Sequence, residues 1–176
     1  MRLHTTLALL AMTTGLAGCA GLMHRGPMAM AKLEPTRGNA TAGTAVFHQR
    51  GERVMVHVRV EGLKPGQEHG FHVHEKGDCS SGDGMSTGGH FNPAGKPHGP
   101  QDTAERHAGD LPSLKADAQG RVDVHFTLTG ITVGSGATDV IGKGLIVHAM
   151  PDDYRTQPTG NAGARLACAV IAAHAY

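Results

Sequence analysis

Residues 69–75 read HGFHVHE and contain the alternation on which the fold depends. His72 and His74 are one residue apart, and Phe71 and Val73 occupy the positions before and between them. Successive side chains of a strand point to opposite faces. We therefore predict a strand that turns both imidazoles to one face, where they can bind a metal, and both apolar side chains to the core.

A long segment rich in glycine and proline follows this strand, and residues 83–110 read DGMSTGGHFNPAGKPHGPQDTAERHAGD. Turn-forming residues at this density exclude a regular helix or strand, so we expect something other than a backbone ladder to fold the segment. It carries His90, His98, His107 and Asp110. Imidazole nitrogen suits copper and zinc alike, and a carboxylate beside it favours zinc over the cuprous ion. We predict that bound metal folds the segment.

A seventh candidate ligand lies further along the chain, in the apolar run GLIVHAM at residues 144–150. Such a run is typical of a buried strand, and this strand would return His148 to the first histidine pair. Six histidines and one aspartate thus form a ligand set for two transition-metal ions.

The rest of the chain predicts an all-β domain. Apolar and polar residues alternate in two further segments, as in half-buried antiparallel strands. The apolar positions are Val54, Val56, Val58 and Val60 in the first segment and Val122, Val124, Phe126 and Leu128 in the second. Glycine-rich turns separate such segments at intervals that suit a sandwich or barrel. No segment has a convincing helical pattern, and with no tryptophan and few other aromatic residues the core must be aliphatic.

The N-terminus has the pattern of a secretory signal. Arg2 supplies a positive charge, and residues 7–17 form an apolar stretch too short to span a bilayer. Residues 16–19 read LAGC and resemble the lipobox of bacterial lipoproteins, in which cleavage precedes the cysteine and lipid is joined to its thiol. The alternative is an ordinary cleaved signal that contains Cys19. A second acyl chain would make the anchoring stable, and Ala20 after the cysteine favours the outer membrane.

We therefore expect a lipoprotein-type signal peptide at residues 1–18, a flexible tether at 19–30 and one folded domain at 31–176. Removing the first 18 of the 176 residues leaves 158, enough for one well-buried core. Arg2 is the only charged residue removed, so 15 Lys and Arg remain beside 15 Asp and Glu. A nucleic-acid-binding protein would normally carry a basic excess, and nucleic acid is excluded as a partner.

The number of cysteines agrees with an exported protein. The chain has three cysteines, and if Cys19 carries lipid, Cys79 and Cys168 are left as an even pair. We expect a disulfide between them in an oxidising compartment, which would tie the loop region to the terminal apolar strand. The alternative is two buried free thiols.

Five segments, in order, resemble the copper,zinc superoxide dismutases of the bacterial, exported kind. The resemblance covers roughly residues 31 to 174 and rests on GFHVHEKGDC, GGHFNP, the series from HGP to ERHAGDLP, GKGLIVHA and GNAGARLACAVIA. It implies an eight-stranded Greek-key β-barrel, a flattened sandwich with long metal-binding loops. The implied activity is conversion of superoxide to oxygen and hydrogen peroxide, which would protect the cell envelope from superoxide arriving in the periplasm.

The resemblance also assigns the ligands, with one copper and one zinc per subunit. His72, His74 and His148 would bind copper, His98, His107 and Asp110 would bind zinc, and His90 would bridge both metals as an imidazolate. In the family, reduction breaks the copper side of the bridge and the bridging histidine takes up a proton there. His90 would therefore be both ligand and proton carrier.

Three further roles follow from the resemblance. Arg165 would attract and orient the superoxide anion near the copper, and Thr159 would line the channel beside it. Asp152 would link His72 to His98, although its neighbour Asp153 is a one-residue alternative. The segment between Asp153 and Gly160 is shorter than in the eukaryotic form, which places the usual electrostatic guidance by that loop in doubt.

Some alternatives stay open at the level of sequence. The protein could store or buffer copper and zinc without turnover, although storage needs no anion-positioning Arg165. It could be a monomer or a homodimer. The remaining histidines match no ligand position, and we expect surface or packing roles for them: His48, His57, His69, His125 and His174.

Overall fold

The computed structural model describes residues 26–175, which form ten β-strands and one 3-10 turn. The strands are β1 (Met28–Pro35), β2 (Ala42–Arg50), β3 (Arg53–Glu61), β4 (Glu68–His69), β5 (Phe71–His74), β6 (Leu114–Lys115), β7 (Val122–Leu128), β8 (Gly144–His148), β9 (Arg165–Val170) and β10 (Ala172–His174). The 3-10 turn spans Met85–Thr87. Among the described residues there is no α-helix, and no helix there is long and apolar enough to cross a membrane.

Eight of the strands form one curled antiparallel sheet. Its order is β5-β8-β9-β1-β2-β3-β7, and β10 pairs with β1 beside this path. The neighbours β5 and β8, β9 and β1, and β3 and β7 are distant in the sequence, so the strands are connected by crossovers of the Greek-key kind. Strands β4 and β6 pair separately. The predicted all-β, eight-stranded fold with long metal-binding loops is confirmed.

The alternation in β3 places every second residue in an aliphatic core. Val54, Val56, Val58 and Val60 are buried, and the residues between them face solvent or are half-buried. In β7 the ends, Val122 and Leu128, are buried, whereas its central apolar side chains are only half-buried. Because β7 is the last strand of the sheet order, its side chains have a neighbouring strand on one side only.

Strand β1 begins before the boundary expected at residue 31. Met28, Ala29 and Met30 already pair with β2 and with β10, and the small Ala29 side chain is fully buried. The ordered domain therefore includes residues 28–30, which the sequence assigned to the tether. The signal peptide and Cys19 lie outside the described residues.

The expected disulfide is present. Cys79 and Cys168 are bonded across a sequence separation of 89 residues, with a Cα–Cα distance of 5.9 Å. Cys79 belongs to the segment after β5, and Cys168 lies in β9. The bond attaches a segment with little regular structure to the wall of the barrel.

Candidate metal centre

The histidine-bearing strands β5 and β8 are neighbours. Phe71 pairs with Val147 and His72 with Ile146, in an antiparallel register. Phe71 and Val73 belong to the hydrophobic core, as the alternation predicts. His72 and His74 are fully buried as well, because the loop covers their face of the strand. His148 ends β8 beside a register irregularity after Val147.

The glycine-rich segment lies directly on β5. The backbone N–H of Val73 donates to the Gly109 carbonyl at 2.9 Å, and the N–H of Phe91 donates to the Val73 carbonyl at 2.8 Å. A Cβ on Gly109 would lie 2.2 Å from the Val73 oxygen, so only glycine allows this approach. The expectation that no backbone ladder holds the segment is therefore too strong, because a short one aligns it with the ligand strand.

This pairing brings the ligands together in two groups that share one residue. Isolated bridges align His72 with Asp110 and His74 with His90. In each group, ligand atoms of all members lie within 4.8 Å of one another. The first group is His72, His74, His90 and His148, and the second is His90, His98, His107 and Asp110. All seven residues are buried.

The hydrogen bonds of the first group leave one ring nitrogen of each histidine without a protein partner. Nδ1 of His74 donates to the Gly88 carbonyl at 2.9 Å, and Nδ1 of His148 donates to the Gly163 carbonyl at 3.2 Å. Carbonyl oxygens only accept, so the proton is on Nδ1 and the Nε2 lone pair is available. In this group the buried nitrogens without a protein partner are His72 Nδ1, His74 Nε2, His90 Nε2 and His148 Nε2.

The second group converges on one carboxylate. Oδ1 of Asp110 lies 2.8 Å from His90 Nδ1, 2.9 Å from His98 Nδ1 and 3.2 Å from His107 Nδ1. Its Oδ2 accepts from the backbone N–H groups of Gly99 at 3.1 Å and His107 at 2.9 Å. These two bonds fix the orientation of the carboxylate, so that its other oxygen faces the histidines.

Asp152 lies outside both groups and connects them through hydrogen bonds to one histidine of each. Its Oδ2 accepts from His72 Nε2 at 2.7 Å, and its Oδ1 accepts from His98 Nε2 at 2.9 Å. In both histidines the bonded nitrogen is the one opposite to the nitrogen that faces the group. Such a carboxylate fixes the tautomer and the ring orientation of a metal-binding histidine. The neighbouring Asp153 is exposed and bonds to Thr156 instead.

Arg165 stands at the edge of the first group. Its Nη1 donates to the Gly84 carbonyl at 2.7 Å and to the Thr87 hydroxyl at 2.6 Å, and its Nη2 donates to the Gly88 carbonyl at 2.8 Å. Burial is the main cause of the lowered pKa of His74 and of His148, and neighbouring histidines add to it. The positive charge of Arg165 lowers both pKa values further. The guanidinium is therefore fixed close to these histidines.

Most of the chain matches one family of known proteins. Residues 41–171 match the family described as copper/zinc superoxide dismutase (SODC). The chain belongs to the copper/zinc superoxide dismutase family. The resemblance to copper,zinc superoxide dismutases noted in the sequence is thereby confirmed at the level of the family, and the two groups are suited to copper and zinc.

Individual superoxide dismutases are similar over most of their length. The extracellular superoxide dismutase [Cu-Zn] of Drosophila melanogaster is 44% identical over 137 residues, 73% of this chain and 74% of that protein. Superoxide dismutase [Cu-Zn] 2 of Aquifex aeolicus is 38% identical over 147 residues, 81% of this chain and 85% of that protein. The crystal structure of the clock protein EA4 superposes with a TM-score of 0.76 at 38% identity, covering 85% of this chain and 99% of that chain.

The ligands of the first group are suited to the copper ion of a superoxide dismutase. Four imidazoles present their partnerless nitrogens to one another in a buried space, and imidazole binds copper in both of its common oxidation states. Burial lowers the pKa of His72, His74 and His148. The rings are therefore neutral near neutral pH, as a metal ligand must be.

The second group fits the zinc. A tetrahedral zinc site with ligand distances of about 2.0 to 2.2 Å has ligand atoms about 3.3 to 3.6 Å apart. The separations in this group are slightly shorter or similar: 2.8 Å and 2.9 Å from Asp110 Oδ1 to Nδ1 of His90 and of His98, and 3.4 Å from His107 Nδ1 to His90 Nδ1. Burial opposes the charge of Asp110, but hydrogen bonds from its histidines keep its pKa well below the usual range. Burial also opposes a charged His98, yet Asp110 and Asp152 raise its pKa to about 9. A divalent cation would replace the protons that these groups share.

Several supporting residues carry no recognisable pattern in the sequence. Gln157 accepts from the backbone N–H of His98 at 2.8 Å and donates to its carbonyl at 2.9 Å. His69 is buried, and its Nδ1 donates to the His148 carbonyl at 2.8 Å. A packing role for His69 was expected, but not its contact with a ligand residue, which depends on the pairing of distant strands. Thr159 is half-buried, immediately before Gly160, and its place in the channel stays a prediction.

Proposed function

We propose that this protein is an exported, lipid-anchored superoxide dismutase that removes superoxide at the bacterial cell envelope. The observation that carries the activity is His90, which belongs to both groups and lies between them. Its Nε2 faces the imidazoles of the first group, and its Nδ1 lies 2.8 Å from Asp110 of the second. A protein that stored the two metals separately would not need a shared ligand.

In this proposal His72, His74, His90 and His148 hold one copper, and His90, His98, His107 and Asp110 hold one zinc. Bound copper supplies one-electron chemistry, since it can oxidise one superoxide to oxygen and reduce a second, with two protons, to hydrogen peroxide. Zinc is not redox-active, and the residues that hold it keep the segment from His90 to Asp110 folded against β5.

Arg165 positions the substrate anion. Three of its five N–H groups are used by the Gly84 and Gly88 carbonyls and the Thr87 hydroxyl. Within residues 26–175 the other two have no protein partner and are left for an anion. A fixed cation beside the first group raises the local concentration of a small anion and restricts its orientation. Arg165 therefore contributes to the capture of superoxide and not to covalent chemistry.

In this proposal His90 would also carry a proton at Nε2 whenever that nitrogen does not hold the copper. This atom is buried and has no hydrogen-bond partner among the described residues, and burial lowers the pKa of the ring to about 4. A proton at Nε2 would be transferred readily to a more basic peroxide anion nearby. The Nδ1 contact with Asp110 keeps the ring in place meanwhile.

The proposed location rests on the disulfide and on the N-terminus. The Cys79–Cys168 bond is typical of proteins in oxidising compartments. Residues 1–18 form the signal peptide, Cys19 carries the lipid, and the residues before β1 form a tether to the outer membrane. Labelling with radioactive palmitate in a bacterial host should mark the wild type but not Cys19→Ser. An unlabelled wild type with a mature N-terminus at another residue would refute the anchor.

Metal depletion tests the activity itself. The metal-free protein should not consume superoxide, zinc alone should not restore consumption, and copper with zinc should restore it. If the protein takes up both metals in equal amounts but gains no activity, it is a storage protein and the proposed function is wrong.

A further inference from the structure

Half-buried His57 and exposed His125 form a stacked histidine pair outside the metal centre. His57 in β3 is directly opposite His125 in β7 in the antiparallel register. Their ring centroids are 3.8 Å apart, with an angle of 15° between the ring planes. Both strands lie at the end of the sheet order opposite to β5 and β8. The pair is therefore separate from the copper and zinc ligands.

A carboxylate completes this cluster. Oδ1 of Asp123 lies 2.7 Å from His57 Nε2, and its Oδ2 accepts from Arg59 Nε at 3.2 Å. The hydrogen bond from His57 is the first cause of a lowered pKa of Asp123, and Arg59 adds to it. The carboxylate is therefore ionised. Arg59 occupies one oxygen, while the other remains directed at the histidine pair.

The three side chains lie close enough to one another to share a metal ion. One ligand atom from each of His57, Asp123 and His125 lies within 4.8 Å of the others. The ring planes lie only 15° from parallel, so each imidazole would rotate slightly to direct one nitrogen to a shared ion. A depression of about 240 Å³, partly lined by these two histidines, leaves space for water to complete the coordination.

We propose that His57, Asp123 and His125 form a third metal site, facing solvent, that takes a divalent ion of borderline softness such as Zn²⁺. Two imidazoles and a carboxylate are ligands that zinc prefers, and open positions are left for water. The side chain of Asp123 is 61% exposed, and the positive Arg59 lies beside it. Both features weaken the binding, so the ion exchanges readily with solvent, unlike an ion held by the buried centre. This assigns a ligand role to two histidines for which the sequence favoured surface or packing roles.

Zinc titration of the holoenzyme tests the third site. Protein loaded with copper and zinc is passed over a weak chelating resin and titrated with Zn²⁺ by calorimetry. The wild type should bind one zinc beyond those of the buried centre. The exposed His125→Ala and the Asp123→Asn variants should lose that equivalent, whereas His174→Ala, which removes an exposed histidine from β10, should keep it.

Superoxide consumption provides the control for folding. It should be unchanged in His125→Ala, because this residue does not contact the centre. Failure of the wild type to bind an additional zinc would overturn the proposal, as would a His125→Ala protein that binds it with wild-type affinity. Titration with Cu²⁺ should saturate the same site, since copper precedes zinc in affinity for such ligands, and copper binding that persists in His125→Ala would also contradict the assignment.

Discussion

His74 and Arg165 donate hydrogen bonds to the same oxygen, the carbonyl of Gly88, from Nδ1 at 2.9 Å and from Nη2 at 2.8 Å. One peptide group thus fixes the tautomer of a proposed copper ligand and the position of the cation that would hold the substrate. The relative placement of metal and anion therefore depends on the segment from Gly84 to Gly88, which also supplies the Thr87 contact.

Thr87→Val should weaken substrate capture without loss of metal. The change removes the hydroxyl that accepts from Arg165 Nη1 at 2.6 Å but keeps the shape of a buried side chain. We expect kcat/KM for superoxide to fall several-fold and its dependence on ionic strength to change, because the cation is less well fixed. Copper and zinc contents should equal those of the wild type. Thr127→Val, an exposed change in β7, is the control, and equal losses in both variants would contradict the role of Thr87.

Asp152→Asn should lower metal affinity. The side-chain oxygen of asparagine can still accept a hydrogen bond. The substitution, however, removes the negative charge that orients both His72 and His98. Loss of such a partner typically costs about 10 to 100-fold in metal affinity, and we expect this for zinc in competition with a chelator. Asp153→Asn alters the exposed neighbour and should leave the affinity unchanged. If the two variants retain zinc equally well, Asp152 does not support the site.

Gly160→Ala should disrupt the connection between the two metal groups. An added Cβ would lie 1.8 Å from Asp152 Oδ1 and 2.5 Å from His98 Nε2. Gly95 has a similar φ of +63°, but nothing lies within 4 Å of its added Cβ. Gly95→Ala should therefore cost only the backbone strain of about 1 to 2 kcal/mol, measured by denaturant unfolding. Gly160→Ala should lose more stability than this and should also lose zinc, and a zinc content equal to that of Gly95→Ala would contradict the expectation.

Replacing Cys79 by Ser together with Cys168 by Ala should destabilise the protein through its unfolded state. The bond closes a loop with a sequence separation of 89 residues, for which the chain-entropy model gives about 4 to 5 kcal/mol. Unfolding of the metal-loaded protein in guanidinium should show a lower midpoint, and reduction of the wild type should give a similar loss. An unchanged midpoint would show that the loop is held by the metal ligands alone.

The alternation of residues 71–74 was sufficient to predict the ligand strand, because the side-chain period of a strand is independent of the remaining fold. The burial of β8 and the disulfide were also predictable, the first from a continuous apolar run and the second from a pair of cysteines. The family resemblance supplied the strand count and the assignment of the ligands, which local patterns do not contain.

Other features depend on contacts between segments that are distant in the sequence. The sequence does not reveal that the Val73 carbonyl lies against Gly109, or that Asp152 lies against Gly160. The stacking of His57 on His125 requires the pairing of β3 with β7, and these strands are separated by the entire zinc-binding segment. β1 begins at Met28, before the domain boundary expected at residue 31, because the pairing of Met28 and Met30 with β2 and β10 sets its start.

In the proposed function, the metal centre that shares His90 and the neighbouring Arg165 together consume superoxide. The most direct measurement compares the rate of superoxide consumption for copper- and zinc-loaded wild type, Arg165→Ala and His148→Ala. We predict a fast wild type, a rate lower by on the order of 10-fold or more for Arg165→Ala through lost anion steering, and almost none for His148→Ala. A wild type that holds both metals yet is no faster than His148→Ala would show that the centre does not consume superoxide and would favour metal storage.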